Sequence, residues 1–227
     1  SPTSNSLGFV GTVEKMCQIE VPKKASYIRV LTAELQRIGS HLVALGTYGL
    51  DLGGALGGGA SLFLYCFRER EKILDIMEEL TGTRFHTNIN QIGGVRYDVK
   101  IDVIKKINDL IKYIRPILIE YNDVISKDQI FIKRTKSIGV ISAQLAQEAG
   151  CSGPVARASG INFDIRRNQT YECYDELDFD IPLGTNGDSY DRTIVRMKEN
   201  LESLKIIEQI INGIPSGDLS SRKPFKS

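Results

Sequence analysis

The chain has 227 residues, of which 41% are hydrophobic and 25% are charged, and its formal net charge at pH 7 is +1. This length and composition are sufficient for one globular domain with a substantial core, and we expect a single domain over residues 1–227. Because the net charge is close to zero, no overall field attracts a polyanion, which argues against a nucleic-acid partner.

The cysteines and histidines give no metal-binding pattern. The four cysteines are widely spread and include no CxxC pair, so the usual spacings of zinc and iron–sulfur ligands are missing. We therefore interpret them as reduced thiols and expect no metal ligands in this chain. The sequence also lacks a run of about 18 apolar residues that could cross a bilayer.

Two long helices are predicted on either side of a glycine-rich run. The first covers residues 26–50, where apolar residues recur at steps of three and four. Its stripe consists of Ile28, Leu31, Leu35, Ile38, Leu42 and Leu45. The second covers residues 61–82, with Gly82 as its C-terminal stop. Its predicted inward positions are Leu62, Tyr65, Ile73, Ile76 and Leu80.

Two further long helices follow. The third covers about residues 104–125, and Pro116 is predicted to kink it. Its inward positions are Ile104, Ile107, Ile111, Ile114, Leu118, Tyr121 and Ile125. The fourth covers about residues 190–212, with Asp188 or Ser189 as its N-cap.

Residues 150–189 differ from the rest of the chain. They are rich in Gly, Asp and Tyr and lack helical periodicity, which predicts an irregular insertion with short extended pieces such as FDIPLG. The predicted fold is therefore mainly α: a bundle of long helices with one long connecting region of irregular structure and short strands.

The glycine-rich run begins at Asp51 and reads DLGGALGGGAS. It follows a helix and contains no lysine, so it does not fit a phosphate-binding P-loop. A flexible connection between helices and a close approach to another backbone both remain open. Asp51 itself ends the first helix, where a carboxylate opposes the helix dipole. Either a function or a solvated position would explain it.

Two polar stretches lie on the predicted helices. In AELQRIGSH, the side chains of Glu34, Arg37 and His41 form a ribbon beside the apolar stripe, which we interpret as a helix surface or a partner-facing strip. The alternating charges of residues 68–72 indicate a solvated helix face.

A loop after the second helix carries another polar group. In TGTRFHTNINQIGGVRYD, His86 lies two positions after Arg84. Because the histidine pKa is normally near neutrality, His86 is a candidate sensor of a nearby charge. A loop histidine without a role is the alternative.

The segments ELQRIGSHLVALGTYGLDLGG, FREREKILDIMEELTGTRFHTNINQIGGVRYD and SGINFDIRRNQTYECYDELDFDIPLGTNGDSYDR resemble one family. Its members are the D subunits of the proton-pumping NADH–quinone oxidoreductases (respiratory complex I), and the resemblance extends over nearly the whole chain. The family is related to the large subunit of nickel–iron hydrogenases, which implies a hydrogenase-like core. It also implies that the chain is the central part of a longer protein and is inactive in isolation.

The resemblance implies a redox role that is shared with partners. The chain would bind no cofactor itself and would form the quinone-reduction pocket together with the B subunit, which carries the terminal iron–sulfur cluster. Asp51 would be the partner of a head-group histidine, and Gly53 and Gly54 would line the pocket beside it. His86 would lie near the cluster, with its protonation linked to the redox state, and Arg84 would be a further cluster-side residue.

The same resemblance implies a location and leaves two alternatives. The complex would be peripheral to the inner membrane on its cytoplasmic side, with the C subunit as a further neighbour. The glycine-rich link here is longer than is usual in the family, so we expect either a changed pocket rim or a different quinone. The alternative functions are the large subunit of an energy-converting nickel–iron hydrogenase and a helical scaffold without a redox role.

Overall fold

The computed structural model describes residues 2–53 and 59–221 and is mainly helical, as predicted. The long helices are α1 Pro2–Cys17, α2 Lys23–Leu52, α3 Gly59–Thr81, α4 Ile101–Lys127 and α9 Ser189–Gly213. The short ones are α5 Gln129–Thr135, α6 Ala143–Glu148, α7 Gly153–Ala158, α8 Ile165–Asn168 and a 3-10 helix, Tyr174–Glu176. Two strands, β1 Asn90–Gln91 and β2 Gly94–Val95, form an antiparallel hairpin.

Helix α2 is the centre of the bundle. All six residues of its predicted apolar stripe are buried. It packs on α1, α3 and α9. The α2–α3 pair is antiparallel, because Gly39 faces Ile73 whereas Gly49 faces Leu62. At Gly49 the helices are so close that an added Cβ would lie 2.7 Å from a methyl carbon of Leu62.

Helices α4 and α9 complete the core. The predicted inward residues of α4 are buried from Ile107 to Ile125, and Ile104 packs on the same cluster. Pro116 lies inside this helix, and its predicted kink stays a prediction. Helix α9 begins where expected, since the N-cap Asp188 accepts a hydrogen bond of 2.8 Å from the backbone amide of Asp191.

One prediction about these elements is wrong. Tyr65 on α3 is 39% exposed, and the neighbouring Cys66 takes the buried position instead. The stretch 150–189 includes three short helical pieces, α7, α8 and the 3-10 helix. Its FDIPLG segment does not join a strand in the part of the chain that the structure describes.

The β-hairpin connects the bundle to a late segment of the chain. The backbone amide of Val95 donates to the carbonyl of Leu219 at 2.8 Å, and Gly94 bridges Ser220. This approach requires glycine, because a Cβ on Gly94 would lie 2.0 Å from the Leu219 carbonyl oxygen. Within residues 2–53 and 59–221, no helix combines the length and apolar character needed to cross a membrane.

Candidate functional site

Asp51 lies in the last turn of α2 with its side chain exposed. The helix ends at Gly53, whose φ of 65° is left-handed and whose amide donates to the Gly49 carbonyl. Arg134 of α5 also donates to the carbonyl of Leu52 at 2.6 Å, so a cation satisfies the helix end next to Asp51. The positive charge of Arg134 stabilises the negative end of the helix dipole, and its hydrogen bond holds the end of α2, and therefore Asp51, in place. The predicted pocket residue Gly54 lies outside the described residues.

A cavity of about 450 Å³ opens beside Asp51, between α2 and α9. From α2 it is lined by Ala44, Leu45, Thr47, Tyr48 and Asp51, and elsewhere by Val155, Ser189, Arg192, Thr193 and Arg196. Asp51 is the one carboxylate among these lining residues, whereas the lining includes two guanidinium groups. The cavity therefore carries a net positive charge.

The two arginines of this cavity hydrogen-bond to neutral oxygen atoms. Arg192 donates to the carbonyls of Gly187 and Gly139 and to the hydroxyl of Ser189, at 2.8 to 3.0 Å. Arg196 donates to the carbonyl of Arg192 at 2.8 Å. Burial lowers the pKa of Arg196, and it outweighs the opposing effect of the Glu199 charge. Neither arginine was a candidate on sequence grounds.

Arg84 is partly exposed and is held by α3. Its guanidinium forms ion pairs with Glu71 at 2.5 Å, Asp75 at 2.6 Å and Glu78 at 3.2 Å. The hydrogen bond to Asp75 is the main reason why the pKa of Arg84 is raised. The loop after α3 is thus folded back on that helix by one arginine.

His86 is exposed on the same loop. Its ring meets the ring of Phe85 edge-on at 5.6 Å, and its carbonyl accepts a hydrogen bond of 3.1 Å from the Thr83 hydroxyl. These contacts fix the backbone and leave the imidazole open to a partner.

The predicted site residues are placed in two separate locations. Arg84 and Phe85 line a second cavity of about 210 Å³, together with residues of α2 that include Ser40. Ser40 and Asp51 are eleven positions apart on the same helix, which corresponds to about 16 Å along its axis. Asp51 and the Arg84–His86 loop therefore do not share a cavity.

The prediction of a surface ribbon on α2 is wrong, because the side chains of this ribbon are largely buried. Glu34 is completely inaccessible and His41 is only 12% exposed. The carboxylate of Glu34 accepts hydrogen bonds from Arg37, Tyr174 and Ser203 at 3.0, 2.6 and 2.6 Å. Burial alone would raise the pKa of Glu34, but the neighbouring cations and these hydrogen bonds lower it to about 2.

The buried network continues from Glu34 into α8. Arg166 lies 3.2 Å from Glu34 and donates to Asp164 at 2.8 Å. Asp164 also lies 3.3 Å from Arg157 of α7. Despite burial, the pKa of Asp164 is lowered to about 2 by its bonds to Arg166 and by the charge of Arg157. The Glu34–Arg166 pair holds the 150–189 stretch against the bundle, and the two pairs of Asp164 connect α7 with α8 within it.

The network ends at His41. Arg157 donates to Glu199 of α9 at 2.7 Å, and the other Glu199 oxygen lies 2.7 Å from Nε2 of His41. Burial lowers the pKa of His41 and outweighs the opposing effect of Glu199. A sequence signal existed: Glu34 is three positions after Leu31, and His41 is three after Ile38, so both lie within the apolar stripe.

The charged run on α3 also needs a correction. Glu69 is fully buried, unlike the solvated face predicted for residues 68–72. One of its carboxylate oxygens accepts from Arg68 at 2.6 Å and from the Tyr121 hydroxyl at 3.2 Å. Its other oxygen is buried without a hydrogen-bond partner among the described residues.

The described residues contain no cluster of three or more His, Cys, Asp or Glu side chains that could hold a metal ion. The four cysteines are free thiols, and Cys66 and Cys173 are buried. Burial raises the pKa of both of these thiols to about 12, which makes them poor ligands and poor nucleophiles.

Comparison with known proteins gives a consistent result. The model of a family described as the 49 kDa subunit of respiratory-chain NADH dehydrogenase matches residues 57–226. The D subunit of the NADH-quinone oxidoreductase of Desulforamulus reducens is 41% identical over 217 residues, covering 96% of this chain and 58% of that protein. The D subunit of the Chlorobaculum parvum enzyme is 43% identical, with coverages of 93% and 53%.

A third relative combines two subunits in its name. The second C/D subunit of the NADH-quinone oxidoreductase of Aquifex aeolicus is 47% identical over 211 residues, which are 93% of this chain and 35% of that protein. The chain thus spans 35% to 58% of the length of these three relatives.

Proposed function

Because the chain belongs to the family of the 49 kDa subunit of respiratory-chain NADH dehydrogenase, we propose that it forms one wall of a quinone-reduction pocket. The pocket would belong to the peripheral arm of a proton-translocating NADH–quinone oxidoreductase. The opposite wall would come from the B subunit, which carries the terminal iron–sulfur cluster. The observation that carries this proposal is the family match over residues 57–226.

The chain would take part in the reaction without holding a cofactor. Quinone is the substrate, and the cluster and its electrons would come from the partner. The C subunit is a further proposed neighbour, supported by the C/D name of the Aquifex aeolicus relative. The proposed location is the cytoplasmic side of the inner membrane, peripheral to the bilayer.

Asp51 is the proposed acceptor-side residue. Its carboxylate is exposed at a fixed helix end and lines a cavity, so a proton donor of the complex could reach it. Ionised Asp51 would orient that donor and stabilise its protonated form, which is the usual role of a carboxylate behind a general acid. Gly53 and Gly54 would allow the pocket backbone to approach the acceptor closely.

His86 is the proposed donor-side residue. Its exposed imidazole could lie next to a cluster on a partner, and a change of one charge there would shift the histidine pKa. The same role is weaker for Arg84, because three carboxylates of α3 already offset its charge. A contribution from Arg84 would require the partner to displace some of these ion pairs.

Two substitutions in the assembled complex would test the proposal. Asp51→Asn should lower quinone reduction about 100-fold, the usual contribution of acid–base catalysis, while NADH oxidation by ferricyanide stays unchanged. His86→Ala should abolish the pH dependence of the terminal cluster's potential. As a control, Glu208→Gln changes an exposed charge and should alter neither measurement. Normal quinone reduction in Asp51→Asn, or an unchanged pH dependence in His86→Ala, would reject the respective role.

The two alternative functions are separated by composition of the purified complex. A hydrogenase large subunit would contain nickel, and a scaffold without a redox role would not require an iron–sulfur partner. The family match supports neither of them. Metal analysis of the full-length protein, and its co-purification with an iron–sulfur subunit, would decide between these possibilities.

A further inference from the structure

Arg192 and Arg196, which are partly buried, differ from the arginines of the protein interior. Arg29, Arg157 and Arg166 each form at least one ion pair with a buried carboxylate. Arg192 and Arg196, one turn apart on α9, form none with the described residues and bond to neutral oxygens instead. Partly buried guanidinium groups that have no carboxylate partner can pair with a bound anion.

From this contrast we propose that the cavity between α2 and α9 is a binding site for a phosphate group, either free or as a monoester. The inference goes beyond the proposed quinone role and does not depend on it. It rests on the lining residues of this cavity alone, and it is tested by binding to this chain and not by electron transfer.

The lining supplies the donors that a phosphate needs. Guanidinium groups pair with phosphate oxygens through several parallel N–H bonds, and two of them one helical turn apart can hold one tetrahedral anion. The hydroxyl of Tyr48 forms no hydrogen bond with the described residues and can donate as well. At about 450 Å³ the cavity has room for a phosphate together with a small organic group.

Asp51 determines which oxyanion fits. With two positive charges and one negative charge, the lining attracts an anion but presents a carboxylate to it. Near neutral pH, phosphate and its monoesters keep a protonated oxygen or acquire one readily, and that O–H can donate to Asp51. Sulfate has no such proton, so its oxygens meet the carboxylate with repulsion. The cavity should therefore prefer phosphate to sulfate.

Titration calorimetry of the 227-residue chain at about pH 6.5 tests this, with inorganic phosphate and sulfate as probes. We expect saturable binding of one phosphate and binding of sulfate weaker by about tenfold, the usual value of one charged hydrogen bond. Arg192→Gln and Arg196→Gln should each weaken phosphate binding about tenfold or more. Arg115→Gln, which removes a partly exposed arginine elsewhere, should leave phosphate binding unchanged.

Asp51→Asn provides a second and independent measurement. The residue is exposed, so the substitution should not disturb folding, and the amide can donate to an anion. We expect sulfate to bind this variant at least as well as phosphate does. The variant complex could lose quinone reduction while the variant chain still prefers phosphate to sulfate. That result would leave the acceptor role of Asp51 intact and reject the phosphate site.

Further probes identify the source of the phosphate group. Glycerol phosphate, a monoester, should compete with inorganic phosphate, whereas vesicles of phosphatidylglycerol, a diester without a P–OH group, should not. Equal binding of phosphate and sulfate, or binding that persists in both arginine variants, would overturn the proposal. Preferential binding to the diester vesicles would also contradict it, because Asp51 would then contribute nothing.

Discussion

Glu34 and Arg166, 132 positions apart in the chain, form an ion pair of 3.2 Å in the interior of the protein. Glu34 belongs to the central helix α2, and Arg166 belongs to the short helix α8 of the 150–189 stretch. Both side chains are almost completely inaccessible. The pair therefore connects the bundle with a segment that has little apolar periodicity of its own.

Removing the charge of Glu34 should strongly destabilise the fold. Glu34→Gln leaves the Arg37 guanidinium without its carboxylate and Arg166 with Asp164 alone, and breaking a buried pair typically costs about 3–5 kcal/mol. Urea unfolding followed by circular dichroism would measure the loss. Glu208→Gln, which breaks an exposed pair with Arg115, is the matched control and should cost about 1 kcal/mol at most. Similar losses in the two variants would contradict a dominant role for Glu34.

The same network predicts sensitivity to acid. The pKa values of Glu34 and Asp164 are both lowered to about 2 in the folded protein, from ordinary values of 4.5 and 3.8. A carboxyl group whose pKa is lowered by folding stabilises the fold fully when the pH is above its ordinary pKa. This contribution is lost as the pH falls towards the pKa of the folded state. The free energy of unfolding should therefore decrease between about pH 4.5 and pH 2.

For Glu34 the loss is on the order of 3 kcal/mol, since one pKa unit corresponds to about 1.4 kcal/mol. Urea midpoints measured at a series of pH values would show it, and Glu34→Gln should have a flatter profile than the unsubstituted chain. An identical slope in the two proteins would mean that other carboxylates cause the acid sensitivity.

Four of the five long helices, α2, α3, α4 and α9, could be predicted from sequence because their information is local, whereas α1 is not among the predicted elements. The apolar stripe of α2 repeats every three or four residues, and its six members are all buried. The partners of Glu34 could not be predicted in this way, because Tyr174 and Ser203 lie 140 and 169 positions away. The local spacing places Glu34 on one face of α2. Whether its carboxylate can be buried there depends on distant cations that offset its charge.

The residues of the candidate site also differ in whether local sequence could predict them. Asp51 and His86 could be selected from their local context and from the family resemblance. Arg192 and Arg196 could not, because they have an ordinary helical spacing and become unusual only when no carboxylate from another described element pairs with them. The short helices α7 and α8 could not be predicted, because few residues support each of them locally and ion pairs hold them in place.

Two glycine substitutions should have opposite effects on stability. At Gly49 an added methyl group would lie 2.7 to 3.3 Å from atoms of the buried Leu62, so Gly49→Ala should cost about 1–3 kcal/mol through overpacking. Gly8 lies inside α1 with no atom within 4 Å of the added Cβ, so Gly8→Ala should gain about 0.5–1 kcal/mol from helix propensity. Thermal unfolding would compare them. Stabilisation by Gly49→Ala would show that α2 and α3 are less closely packed at this position than the 2.7 Å approach implies.

The thiols should react in two groups. Cys17 is exposed and Cys151 is partly exposed, whereas Cys66 and Cys173 are buried with pKa values raised to about 12. Because the thiolate is the reactive form, Cys17 and Cys151 should be labelled by a thiol reagent under native conditions. The two buried thiols should react only after unfolding, at a rate that follows urea concentration. Mass spectrometry of peptides from timed samples would assign each site, and Cys17→Ser should remove one fast site without changing the slow ones. Rapid native labelling of Cys66 would contradict the close α2–α3 packing, since this thiol lies within the core beside Gly46.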